Sequence, residues 1–143
     1  MRIMGLDYGT RTVGVAISDE LQMTARALEI IRRKESGKLR RTLARIEELI
    51  AQYNVSEIVL GLPLHMDLSV SETAKEAIGF RELLMRRTSL PVTMWDERLS
   101  SVEASEILRM NGIRKEDEKE YIDMVAAKVI LESYLGTLGG EGR

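Results

Sequence analysis

The chain opens with an apolar strand that ends on a carboxylate, turns through glycine and starts a second apolar strand: Ile3-Met4-Gly5-Leu6-Asp7-Tyr8-Gly9-Thr10-Arg11-Thr12-Val13-Gly14-Val15-Ala16-Ile17-Ser18. An aspartate between apolar neighbours is costly to bury unless a cation, a metal or hydrogen bonds hold it. Gly9 and Gly14 remove side chains beside Asp7, so a ligand or another backbone can come close. A carboxylate on a rigid strand beside open space is suited to anchor a metal or a phosphate site. The alternative is a hairpin whose Asp7 caps its own turn.

The rest of the chain alternates strand and helix signals. Strands are expected over 2–8, 12–18 and 24–33, the last from Ala27, Leu28, Ile30 and Ile31. Ser36-Gly37 breaks the chain, and Leu39, Leu43, Ile46, Leu49 and Ile50 then recur at helical spacing over about 38–53. Ile58-Val59-Leu60-Gly61-Leu62 reads as a buried central strand that Pro63 stops. Ser71-Glu72 opens a helix running to about Arg87, and Pro91-Val92-Thr93-Met94-Trp95 reads as a strand leading into Asp96-Glu97-Arg98. Ser101 is expected to cap a helix that Gly112 ends. A charged loop follows at 114–120, then a helix over about 120–135 that Gly136 ends. Three strands followed by helix, strand, helix, strand, helix, helix predict an α/β protein with a mixed sheet and packed helices. One domain over 1–136 is expected, with 137–143 as a flexible tail.

Composition narrows the chemistry. The 143 residues suit a single domain with a real core. No apolar run approaches the roughly 20 residues of a membrane span, and the N-terminus does not read as a secretory signal, so a cytoplasmic protein without membrane contact is expected. With no cysteine and one histidine, thiolate sites and two-histidine metal sites within the chain are excluded. Any metal must be held mainly by carboxylates, which favours Mg²⁺ or Mn²⁺. The net charge is −2, yet residues 26–45 hold eight basic and two acidic side chains. Such a face can bind a phosphate backbone, although charge runs are commonly only solvated.

Three acidic positions stand out from distant segments: Asp7, the Asp96-Glu97 pair after the last strand signal, and Asp123 early in the final helix. That helix is apolar almost all round, and Ala126 and Ala127 share the face of Asp123. Small residues there let the helix approach a sheet. Clustered carboxylates repel unless a cation neutralises them. A pair of divalent ions about 4 Å apart does so and supports phosphodiester cleavage. The competing reading is three unrelated solvated acids.

Leu6-Asp7-Tyr8-Gly9, Gly14-Val15-Ala16, Gly61-Leu62-Pro63-Leu64, Asp96-Glu97-Arg98-Leu99-Ser100 and Asp123-Met124-Val125-Ala126-Ala127 together resemble the motifs of the YqgF/RuvX family. Its members are described as Holliday-junction resolvases or pre-16S rRNA nucleases. The match runs in order from residue 3 to about 135. The resemblance implies an RNase H-like mixed five-stranded sheet with helices on both faces. It implies a Mg²⁺- or Mn²⁺-dependent endonuclease with Asp7, Glu97 and Asp123 as ligands. Asp96 is the reserve for Glu97, because the two point to opposite faces if the strand continues.

Arg98 would hold a phosphate or pin the carboxylates. Thr10 and Arg11 on the hairpin turn, and Arg32, Arg33, Lys34, Lys38 and Arg41 in the basic segment, are candidate nucleic-acid contacts. His65-Met66-Asp67-Leu68 departs from the family's usual Asn-Met-Asp-Gly. His65 is a further candidate contact, or a plain loop histidine. The expected partner is a structured nucleic acid, either precursor ribosomal RNA or branched DNA, bound by a monomer or homodimer. Two other classes compete: a non-catalytic RNA or ribosome-maturation module using residues 26–45, and an ATP-phosphate-binding fragment of the actin and sugar-kinase type. The second would need another glycine-rich phosphate loop, which the sequence lacks.

Overall fold

The alternation of apolar side chains along Arg2–Tyr8 makes a strand with two buried faces, and this strand is the centre of the fold. A computed structural model describes residues 1–9, 11–34, 38–62, 72–96 and 100–139. In chain order it contains β1 (Arg2–Tyr8), β2 (Thr12–Ser18), β3 (Ala25–Arg32), α1 (Arg40–Tyr53), β4 (Val55–Leu62), α2 (Glu72–Thr88), β5 (Val92–Asp96), α3 (Ser100–Met110), a 3-10 turn at Lys115–Asp117 and α4 (Glu118–Gly139). The five strands form one sheet in the order β3-β2-β1-β4-β5. β2 runs antiparallel to β1 and β3, while β1, β4 and β5 are mutually parallel. This is the mixed five-stranded sheet expected from the sequence.

One face carries Met4, Leu6, Val13, Val15, Ile58 and Leu60, packed against Leu43, Ile46 and Leu49 of α1 and Phe80 and Leu84 of α2. The opposite face carries Ile3, Ala16 and Val59 against Ala127, Ile130, Leu131 and Leu135 of α4. α3 lies outside α4, with Ala104 and Leu108 on Val125, Ala126 and Val129. α4 is apolar over most of its circumference because it lies between the sheet and another helix, with the Lys128–Glu132 pair left on its outside.

Several sequence boundaries move. β4 starts at Val55, not Ile58. Ser56 and Glu57 hide its start, and Glu57 is accommodated by accepting a hydrogen bond from the Tyr134 hydroxyl of α4. Burial raises the Tyr134 pKa, with the Glu57 contact adding to the shift, which keeps the phenol a neutral donor. α3 starts at Ser100, so Ser101 sits inside its first turn and not at the cap. The segment 114–120 is not wholly loop: a 3-10 turn spans Lys115–Asp117 and α4 begins at Glu118. α4 continues through Gly136 to Gly139, because Leu138 packs against the α4-side core and offsets the helix cost of one glycine. Residues 137–139 are thus helical, and 140–143 lie outside the described residues.

Ser18 is a buried polar exception, 2% exposed. Its Oγ accepts the Ile3 N–H at 2.8 Å and donates to the Asp19 carbonyl at 2.9 Å, tying the end of β2 to the start of β1. Ser18→Ala leaves a buried N–H without that partner and is expected to cost about 1–3 kcal/mol. Chemical denaturation checks this; an unchanged midpoint and slope would contradict it.

Candidate active site

Asp7 is the second-to-last residue of β1 and is 8% exposed. Its face follows from strand alternation. A Cβ on Gly5 would stand 2.8 Å from the Leu131 Cβ and 3.0 Å from the Ala127 carbonyl oxygen, so Gly5 faces α4. Asp7, two residues on, shares that face. Directly across the β1–β2 pair from Asp7 is Gly14. A Cβ there would lie 2.0 Å from the Asp123 carbonyl oxygen and 2.9 Å from the Met124 nitrogen. The backbone of α4 thus rests on the strand at Gly14, and Asp123, Ala127 and Leu131 follow one another along the helix face that meets the sheet.

The Asp123 side chain turns toward the β1–β2 turn. Its Oδ2 accepts a hydrogen bond from the Thr12 hydroxyl and lies 3.7 Å from where a Cβ of Gly9 would be. The turn is closed by the Gly9 N–H donating to the Thr12 carbonyl at 2.7 Å. A Cβ at Gly9 would also crowd the Thr12 Oγ1 at 3.0 Å. Glycine at 9 and 14 therefore leaves room for Thr12 and for the backbone and carboxylate of Asp123.

Other candidates gather at the same end of the sheet. Arg32 pairs with Thr12 in the β2–β3 register, and Arg11, Arg32 and Lys34 are exposed. α1 ends beside Arg2, whose N–H donates to the Asn54 carbonyl at the other end of β1. At about 1.5 Å per residue, its 14 residues run back along the sheet. The start of α1, with exposed Lys38 and Arg41 before and within its first turn, thus points back along the sheet on the face opposite α4. Arg45, one turn further on, is committed to Glu29 and Glu48 at 2.8–3.0 Å. Arg33 is only half-exposed and turned inward onto Gly9 and Tyr8. Thr10, His65, Glu97 and Arg98 lie outside the described residues, as does the side chain of Asp96. Among the described residues no group of three or more potential metal ligands is assembled. Two hard carboxylate donors do lie toward this end of the sheet, Asp7 buried on its strand and Asp123 accepting from a hydroxyl. That pair suits a hard divalent cation.

The Thr12–Asp123 contact and the inward turn of Arg33 had no sequence signal. Each links residues far apart in the chain, 111 positions in the first case and 24–25 in the second.

The fold and the acid pair define an RNase H-like α/β protein, with one acid at the end of the first strand and the other on the last helix. The fold recurs in the solved Thermus thermophilus RuvC in complex with a Holliday junction substrate (TM-score 0.63, 16% identity, covering 98% of this chain and 97% of that one). It recurs also in the fowlpox virus Holliday junction resolvase (TM-score 0.58, 16% identity, covering 96% and 99%). The family described as "RuvX: Holliday junction resolvase" matches residues 1–137, and the chain belongs to that family. Curated relatives named "Putative pre-16S rRNA nuclease" include one from Lachnospira eligens, 56% identical over 135 residues (94% of this chain, 96% of that protein). A second, from Agathobacter rectalis, is 52% identical over 138 residues (96% of each). Among the described residues no helix is long and apolar enough to cross a membrane.

Proposed function

We propose that this protein is a metal-dependent endonuclease cleaving phosphodiester bonds in structured nucleic acid, with Asp7, Glu97 and Asp123 holding Mg²⁺ or Mn²⁺. The observation that supports the reading is the seating of α4 on Gly14, the residue paired with the buried Asp7, with the Asp123 carbonyl at that contact. Carboxylates held on a strand and a helix offer a hard divalent cation the oxygen donors it prefers. Glu97 is taken as the third acid, with Asp96 in reserve, on the strength of the Asp96-Glu97-Arg98 sequence motif. When bound, the metal would supply water activation and stabilise the leaving oxygen.

The chain's own residues do the rest. Thr12 orients Asp123 by donating to it. Arg11, Arg32 and Lys34 offer cationic contacts to phosphates, and Lys38, Arg41, Thr10, His65 and Arg98 join them on the strength of the sequence. Relatives named for pre-16S rRNA and a family named for the Holliday junction point to folded or branched polynucleotides. Phosphate contacts position such substrates without reading sequence. A cytoplasmic setting belongs to the same reading.

The test is Mg²⁺- and Mn²⁺-dependent cleavage of two labelled substrates, a four-way DNA junction and a precursor ribosomal RNA fragment. Cleavage of one, abolished by a chelator, supports the nuclease and names its substrate. Salt-sensitive binding of either without cleavage would move the assignment to a non-catalytic RNA-maturation module.

A further inference from the structure

We infer that Arg33 is a positioning residue for the carboxylate site and not one of its phosphate contacts; the inference rests on the nuclease reading. Its side chain is folded back under the β1–β2 turn. Nη2 donates to the Gly9 carbonyl at 2.8 Å and to the Tyr8 hydroxyl at 3.2 Å. The guanidinium carbon lies 5.1 Å from the Tyr8 ring centroid, and the Tyr8 ring in turn packs on Phe80 of α2 at 4.9 Å. The Arg33 Nε and Nη1 atoms are shielded from solvent. A guanidinium held this way cannot also present its fork to an incoming phosphate.

What the arginine does hold is Gly9. Both backbone groups of that residue are engaged: its N–H donates to the Thr12 carbonyl at 2.7 Å, and its carbonyl accepts from Arg33. The Arg33 N–H adds a third tie, to the Arg11 carbonyl at 2.9 Å. The turn is thereby fixed at both ends. Asp7 stands two residues before Gly9, and Thr12, which donates to Asp123, three residues after it. The chain of contacts runs from Phe80 through Tyr8 and Arg33 to Gly9, Thr12 and Asp123. Groups that orient metal ligands from behind typically matter about 10–100-fold in metal affinity or activity.

The test compares wild type with Arg33→Met and Arg33→Lys. Three readouts are taken: steady-state cleavage, Mn²⁺ affinity by calorimetry, and hydrogen exchange at the Gly9 amide. Arg33→Met is expected to lower kcat and Mn²⁺ affinity about tenfold or more, with KM for the nucleic acid within about twofold of wild type. The Gly9 amide exchanges faster, while the amides of β4 are unaffected. Arg33→Lys, which can still reach one carbonyl but lacks the stacked fork, is intermediate. A raised KM with kcat unchanged would make Arg33 a substrate contact and overturn the inference. So would wild-type exchange at Gly9 in Arg33→Met. Failure of the nuclease reading is seen separately, in a wild-type protein that neither cleaves nor binds Mn²⁺. The exchange rate at Gly9 decides the turn-fixing role even in that case.

Discussion

Asp7→Asn is expected to abolish metal-dependent cleavage while leaving the fold intact. The substitution keeps size and shape on β1, so the cores on both faces of the sheet are undisturbed. In the proposed site it removes the charge that a divalent cation would take from β1. Loss of that ligand is expected to cost on the order of 10²–10³-fold in rate, the scale of removing a principal charge stabiliser. Stability should hold within about 1 kcal/mol, because the amide keeps the size and shape of the carboxylate. Cleavage rates and denaturation midpoints of identically prepared samples check both halves. Undiminished cleavage by pure Asp7→Asn protein would remove Asp7 from the site.

The second large effect is structural. A Cβ on Gly14 would stand 2.0 Å from the Asp123 carbonyl oxygen. The obstruction is backbone and cannot swing aside, so Gly14→Ala must lift α4 from β2. Overpacking of a tight contact costs about 1–3 kcal/mol and occasionally more. Here the helix involved carries Ala127, Ile130 and Leu131 of one core and Val125 and Val129 of another. The expected loss is therefore at or above the top of that range, a large share of the roughly 5–15 kcal/mol that holds a domain together. Gly79→Ala is the matched control. Gly79 is an exposed helical glycine, and a methyl group added there would meet nothing within 4 Å. Alanine at that position should stabilise by about 0.5–1 kcal/mol. Denaturant melts of the two variants should shift in opposite directions; a Gly14→Ala protein as stable as wild type would contradict the close seating of α4.

The outcome at Gly14 bears on what the sequence revealed. The bounds of β1 and β2 were legible because both strands are apolar on two faces and a glycine-containing turn separates them. That the final helix is largely buried was legible from its being apolar almost all round. Asp123 stood out because small residues share its face, and small residues at a helix–sheet contact leave a mark in the sequence. Single side chains that act across the fold leave none. Arg33 lies in a basic run, and nothing in the sequence signals that its guanidinium donates to a carbonyl 24 residues away. Glu57 disguised the start of β4 because its partner, Tyr134, is 77 residues distant. Gly136 reads as a helix stop, but Leu135 and Leu138 on either side of it anchor that turn of α4 to the core. In each case a tertiary contact overrode a local preference.

The central claim is that Asp7 and Asp123 hold a divalent cation, and calorimetric titration of Mn²⁺ into wild type, Asp7→Asn and Asp123→Asn tests it most directly. The account predicts saturable binding by the wild type and its loss in both variants, with all three proteins equally folded. Equal Mn²⁺ binding by all three, or none by the wild type, would contradict it.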